Sequence, residues 1–242
     1  MLADVVEVLR GDPWFAGLPA DLQADLQGIA LIKHVKARTR LFSRGDAPSG
    51  LYGLLAGSLW VFSELEPGCE GLLTPLHAPA WFGEVGLFDG LCRTHNVEAG
   101  ADCTLLYVPQ TLLTRLLDQK PHYWRYLALL LTQKLRWTFL ALDELVRASV
   151  EVRLARRLIF ASMGLGSLSA TRDSLELSQE TLAQMVGMSR ASISPVLRQF
   201  KARGLVRLAY GRIHILNMAE LKKVAEVDNW LPTTKKPDGR LP

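Results

Sequence analysis

The sequence predicts a mixed α+β chain: a β jelly roll, then a long helix suited to pairing with its own copy, then a winged helix-turn-helix. Three observations predict it. Between Val35 and Val108, short apolar and aromatic runs alternate with Gly, Pro and Asp. From Pro121 to about Ser149 there is no glycine and no internal proline. Beyond residue 174, two capped helices precede a short hairpin in the part of the chain that carries the positive charge.

In chain order, residues 3–10 and 19–30 have helical patterning. Pro19 and Asp21 stand where a helix starts, and Leu18, Leu22, Leu26 and Ile29 keep roughly helical spacing. The runs RLF, LYGLL, SLWVF, GLLTPL and TLLYVP follow, broken at Gly45-Asp46, Ala56-Gly57, Pro67-Gly68 and Asp89-Gly90. That is the pattern of short antiparallel strands closing on themselves. In the next segment Leu131, Leu135, Thr138, Leu142 and Leu145 fall at steps of 4, 3, 4 and 3, the seam of a coiled coil. The one polar seam position, Thr138, either sets register or faces something held at the dimer axis. A further helix is expected over 151–163, then a Gly/Ser loop. The expected domains are 1–120 (effector-binding β-roll), 121–149 (dimerisation helix), 150–230 (winged helix-turn-helix) and a polar, Pro-rich, disordered tail over 231–242.

Of the 242 residues, 49% are hydrophobic, which suits a globular protein. No apolar run approaches the ~18–20 residues that span a bilayer. The N-terminus lacks the basic and apolar regions of a secretory signal. Cys69, Cys92 and Cys103 are scattered, so neither a disulfide frame nor a zinc site is expected, and a reducing cytoplasm is the expected compartment. Charge is uneven. Residues 1–147 carry 13 Lys/Arg against 16 Asp/Glu, net −3; residues 148–242 carry 15 against 8, net +7. A basic C-terminal part points to a polyanionic partner.

Within that part Ser178 caps a short helix, Gly187 supplies the tight turn, and Ser189 caps a second helix from Arg190 to Ala202 that Gly204 ends. Two apolar strands then meet across Tyr210-Gly211. In such a layout the second helix enters the major groove. Arg190 can read guanine with its planar fork. Ser189 and Ser192 can bind phosphate or a base, and Ser178 and Gln179 can bind phosphate beside the first helix's N–H groups. Arg198, Lys201, Arg203 and Arg212 add charge.

The stretch WFGEVGLFDGLCRTHNVEAG, residues 81–100, sets polar groups among apolar ones. Arg93 can pair with a phosphate, and the Thr94 hydroxyl and N–H can complete its shell. Glu84 only accepts, which suits a sugar hydroxyl. Gly83 belongs to the same segment, and Phe82, Val85 and Leu87 supply an apolar wall. Spacing alone leaves a Glu84–Arg93 salt bridge equally open.

Taken together, the segments LFSRGDAPSGLYGLLAGSLWVF, FGEVGLFDGLCRT, the seam helix and LSQETLAQMVGMSRASISPVLRQFKARGLV resemble the cyclic-AMP receptor (Crp/Fnr) family of bacterial transcription regulators over about residues 12–218. The resemblance implies a roll of the cyclic-nucleotide-binding type. It implies Glu84 on the ribose 2′-hydroxyl, Arg93 and Thr94 on the cyclic phosphate, and Thr138 at the base edge, with Gly83 and Val85 in the same cassette. The implied effector is cAMP or cGMP, cAMP foremost, with no metal. The expected partners are double-stranded DNA, a second copy through 121–149, and RNA polymerase; a membrane is not among them. His95 stands where the family usually has Ala, and Phe139 where the cyclic-AMP receptor has a base-contacting serine. Ala191 and Pro195 replace a usual glutamate and arginine, so a different DNA site is expected. The alternative is a regulator of the same fold that senses another small molecule or acts without ligand.

An enzyme is not expected: His34, His77, His95, His122 and His214 are isolated, and no nucleophile–base motif is present.

Overall fold

The computed structural model describes residues 7–66, 69–163, 173–175 and 177–226. The expected tail over 231–242, and the first residues of the helix expected over 3–10, lie outside them. The chain divides into two compact units, the first reaching Arg136 and the second beginning at Trp137.

The first unit opens with a helical turn at residues 7–10 (α1), then α2 (Pro13–Ala16) and α3 (Ala20–Ile29). Asp12 caps α2, its carboxylate accepting from the Phe15 N–H at 3.0 Å, and Pro13 takes the first helical position, where an absent N–H costs nothing. Eight strands follow: β1 (Leu31–Val35), β2 (Arg40–Phe42), β3 (Gly50–Ala56), β4 (Ser58–Glu66), β5 (Cys69–His77), β6 (Ala80–Phe82), β7 (Asn96–Ala99) and β8 (Cys103–Pro109). They form two antiparallel four-stranded sheets, ordered β1-β8-β3-β6 and β2-β7-β4-β5.

Strand alternation explains why β3 is apolar almost throughout. Tyr52 and Leu54 point between the sheets, where Leu59, Leu76, Phe82, Val97 and Leu105 meet them. Leu51 and Leu55 point the other way, onto a second core with Trp14, Phe15, Leu22, Leu26 and Trp81. That core also receives α5 (Gln110–Gln119) through Leu113 and Leu117, and the start of α6 (Trp124–Arg147) through Leu127 and Leu130. Each fully buried leucine contributes roughly 1.5–3 kcal/mol. The short helix α4 (Val85–Asp89) sits between β6 and β7. The seam helix begins as a 3₁₀ turn, Pro121–Tyr123. The Tyr123 hydroxyl donates toward Asp21 at 2.7 Å and Asp25 at 3.0 Å, fastening that start to α3.

The second unit contains the rest of α6, then α7 (Val150–Met163), β9 (Ser174–Leu175), α8 (Gln179–Met185), α9 (Arg190–Ala202), β10 (Val206–Ala209), β11 (Arg212–Ile215) and α10 (Met218–Val224). Leu154, Leu158, Leu182, Ile193, Leu197, Phe200, Ile213 and Leu221 are buried in it. Ser178 and Ser189 cap α8 and α9, accepting from the N–H groups of Thr181 at 2.9 Å and Ser192 at 3.2 Å. Gly187, at φ +66°, makes the turn between them. The hairpin β10–β11 pairs Ala209 with Arg212, and β9 adds a third strand against Ile213 and His214.

Asp12 is buried, and desolvation raises its carboxyl from 3.8 to about 6, against the lowering effect of the Phe15 and Trp14 N–H groups. Its Oδ2 has no partner. The folded state therefore holds this proton more tightly than the unfolded chain. Stability should rise as pH falls through 6 toward 4. Asp12→Asn keeps the cap and removes the buried charge. Urea unfolding should show it more stable than wild type by about 2–3 kcal/mol at pH 7.5, with the gap closing near pH 4.

Candidate functional site

A cavity of about 170 Å³ opens in the first unit. Phe42, Val61, Leu76, Phe82 and Val97 form its apolar wall, and Gly83, Glu84, Val85, Arg93, Thr94, His95 and Lys134 supply the rest of the relevant lining. The cassette residues expected in the first unit, Gly83, Glu84, Val85, Arg93 and Thr94, thus line one cavity. Thr138, exposed on α6, falls in the second unit.

Gly83 ends β6 at φ +96°, and a Cβ there would stand 2.7 Å from the Gly50 carbonyl oxygen. Only glycine lets the chain turn so close to β3. The turn brings Glu84 inward, leaving it 1% exposed. Its Oε2 lies 2.7 Å from Lys134 Nζ, and the same ammonium donates to the Trp81 carbonyl at 2.9 Å.

Arg93 is 8% exposed and held on every side. Its own backbone is bonded to the loop before β3: the Arg93 N–H donates to the Asp46 carbonyl (2.8 Å), and the Gly45 N–H donates to the Arg93 carbonyl (2.9 Å). The guanidinium lies over the Phe42 ring, 4.4 Å from its centroid. Nη1 donates to the Gly83 carbonyl at 3.0 Å, and Nη2 to the Gly50 carbonyl at 3.0 Å and Ser49 Oγ at 3.3 Å. The Glu84–Arg93 salt bridge left open by the sequence does not form: Glu84 is taken by Lys134, and Arg93 by backbone carbonyls. Burial works against the charge on Arg93 and lowers its pKa, while Tyr52 and Glu84 oppose that effect. Its Nε–H is buried without a partner.

Beside it the Thr94 hydroxyl and His95 Nδ1 lie 2.9 Å apart. Burial, and then the nearby Arg44 charge, lower the His95 pKa below its ordinary value. An apolar pocket lined by a guanidinium with two of its five N–H groups unengaged, by a hydroxyl and an imidazole, and by a carboxylate–ammonium pair suits a small ligand bearing both an anionic group and hydroxyls. Sequence reasoning missed Lys134 and Phe42. A trace of Lys134 was available, because it stands one helical turn before Thr138.

In the second unit Ser189, Arg190, Ser192 and Arg198 are exposed on α9, and Ser178 and Gln179 half-buried at the start of α8. Ser189 Oγ and Ser192 Oγ lie 2.8 Å apart. Both hydroxyls therefore already serve the helix start. Arg203 pairs with Glu151 at 2.7 Å, while Lys201 and Arg212 are exposed.

Removing Lys134 would strand a buried carboxylate. Lys134→Met should lower the stability of the first unit by about 2–4 kcal/mol at pH 7, and adding Glu84→Gln should restore more than half of that loss. Denaturant unfolding followed by tryptophan fluorescence measures both.

The cyclic nucleotide-binding domain family matches residues 32–120, and the Crp-like helix-turn-helix domain family matches residues 152–224. The cyclic AMP receptor protein of Thermus thermophilus is 29% identical over 219 residues, covering 90% of this chain and 98% of its own length. The CRP-like cAMP-activated global transcriptional regulator of Mycobacterium tuberculosis is 29% identical over 173 residues, 69% of this chain and 76% of its own. Among solved structures, the Thermus thermophilus catabolite activator protein is 27% identical with a TM-score of 0.50, covering 88% of this chain and 98% of its own. The c-di-GMP-responsive regulator CLP of Xanthomonas campestris, 23% identical, shares the fold with a TM-score of 0.64 over 82% of this chain and all of its own. These domains and relatives are those of regulators, not enzymes. With a cyclic-nucleotide-binding domain followed by a Crp-like helix-turn-helix, the chain belongs to the Crp/Fnr superfamily of DNA-binding transcription regulators.

Proposed function

We infer that the protein is a homodimeric, cytoplasmic regulator whose binding to DNA is controlled by a cyclic nucleotide, cAMP foremost, in the cavity of the roll. The observation that carries this reading is the Arg93 guanidinium, with two of its five N–H groups unengaged, lining one apolar cavity together with Glu84 and Thr94. Arg93 and Thr94 would take the cyclic phosphate, Glu84 the ribose 2′-hydroxyl, and Thr138 the base edge. Gly83 and Val85 shape the wall. Dimerisation through α6 is supported by Leu135, Phe139 and Leu142, each at least half exposed on that helix. On DNA, Arg190 would read a guanine, Ser189 and Ser192 would contact phosphate or a base, and Ser178, Gln179 and Arg198 phosphates. RNA polymerase is the further partner of such a regulator.

The specific observation favouring the second reading, a regulator of the same fold without a cyclic nucleotide, is that Lys134 already occupies Glu84. Calorimetric titration with cAMP and cGMP decides between them. Micromolar binding weakened at least tenfold in Thr94→Ala, an exposed position, and in Arg93→Ala supports the effector reading. No heat with either nucleotide selects the second.

His95 gives the binding a pH signature. With the cavity free of anion its pKa sits below the ordinary 6.5. A bound phosphate raises it, so binding takes up a proton. Affinity should rise severalfold as pH falls from 7.5 to 6, and the trend should vanish in His95→Ala. Titrations in buffers of differing ionisation enthalpy count the proton directly.

A further inference from the structure

Ala191, Pro195 and Arg198 form one exposed stripe along α9, while Ile193, Leu197 and Phe200 are buried on the opposite side. Pro195 lies inside the helix, yet α9 runs unbroken from Arg190 to Ala202. Proline is the least favourable residue in a helix interior, and this one packs no core. It has no N–H, so the carbonyl of Ala191 loses its i+4 donor on the outward face. The preceding carbonyl, of Arg190, accepts from Ser194 Oγ at 2.9 Å. Beyond Arg190 and Ser192, therefore, the outward face presents a methyl group, a pyrrolidine ring and a carbonyl freed from its helical bond.

We propose that the Ala191–Pro195 step reads an A·T base pair. In the major groove such a pair displays the thymine methyl and the adenine N6 amino group. The methyl packs on the Ala191 side chain and the Pro195 ring; the freed Ala191 carbonyl can accept from adenine N6 or cytosine N4 alike, so the methyl carries the discrimination. A G·C pair has no methyl to bury. At 1.5 Å rise per residue, Pro195 lies within about two base pairs of the step read by Arg190.

Selection of sites from a randomised duplex library by the intact protein, with and without cAMP, tests this independently of the effector reading. The expected half-sites hold an A·T pair within about two positions of a G·C pair whose loss follows Arg190→Ala. Replacing that thymine by uracil, which removes only the methyl, should weaken wild-type binding about fourfold. Pro195→Ala removes the ring that covers the methyl and should reduce the preference for A·T over G·C at that pair while leaving the Arg190 step unchanged. No selected sequence, no A·T pair beside that step, or equal binding of thymine and uracil overturns the proposal. An unchanged A·T preference in Pro195→Ala overturns it as well.

Discussion

Burying the Arg93 charge is the constraint on which the first unit is built. A guanidinium cannot leave water without acceptors, and the roll meets that demand with main-chain oxygens. The Gly83 carbonyl comes from the turn just after β6 and the Gly50 carbonyl from the start of β3, two strands paired in one sheet. The Phe42 ring beneath the guanidinium comes from the other sheet. Arg93's own N–H and carbonyl hold the loop between β2 and β3. One side chain thus joins both sheets and the loop at their mouth. Charge-assisted bonds of ~1.5–3 kcal/mol each offset the desolvation only in part, because Nε–H is left over.

The opposite pole of the cavity is held from further away. Glu84 is buried because Gly83 turns it inward, and it remains tolerable because Lys134 reaches it from α6. The same ammonium holds the Trp81 carbonyl, so β6, the turn after it and α6 share one cation. A hydroxyl arriving at Glu84 must share or displace Lys134, and the disturbance falls directly on α6. That helix continues through Thr138 toward α7 without a break until Arg147.

What was legible in the sequence was whatever local chemistry decides. Ser178, Gly187 and Ser189 fix caps and a turn by rules that hold in any context, and the structure places each where its residue type demands. Glycine and proline punctuation gave the strands of the roll. Elements set by distant partners were not legible. The two-residue strand β9 exists only through its pairing with Ile213 and His214. The short α4 and α10 carry too few residues for periodicity to register. The site divides the same way. Glu84, Arg93 and Thr94 stood out as polar groups in an apolar run. Arg93's partners are backbone carbonyls, which leave no mark in a sequence. Lys134 lies fifty positions from the carboxylate it neutralises. The unpartnered Oδ2 of Asp12 is likewise a product of packing alone.

Two arginines show how one side chain serves two kinds of anion. Arg93 is enclosed, its guanidinium held in one orientation by the Gly83 and Gly50 carbonyls. Arg190 is exposed at the first turn of α9, where the helix dipole disfavours a cation. Its position cannot be ascribed to helix stability, since an acidic residue there would do better, and no described carboxylate pairs with it. On the proposed reading the polyanion would supply what the helix does not: a negative field that outweighs the unfavourable dipole, and base edges within reach of a free fork. The net +7 of the C-terminal part favours the approach of a polyanion without regard to sequence, and on the proposed reading Arg190 begins the base readout. The acidic N-terminal part has no such field, so an anion reaches Arg93 only by fitting its cavity. On the proposed reading, selectivity for the small ligand would thus come from enclosure, and selectivity for DNA from the few groups that α9 leaves exposed.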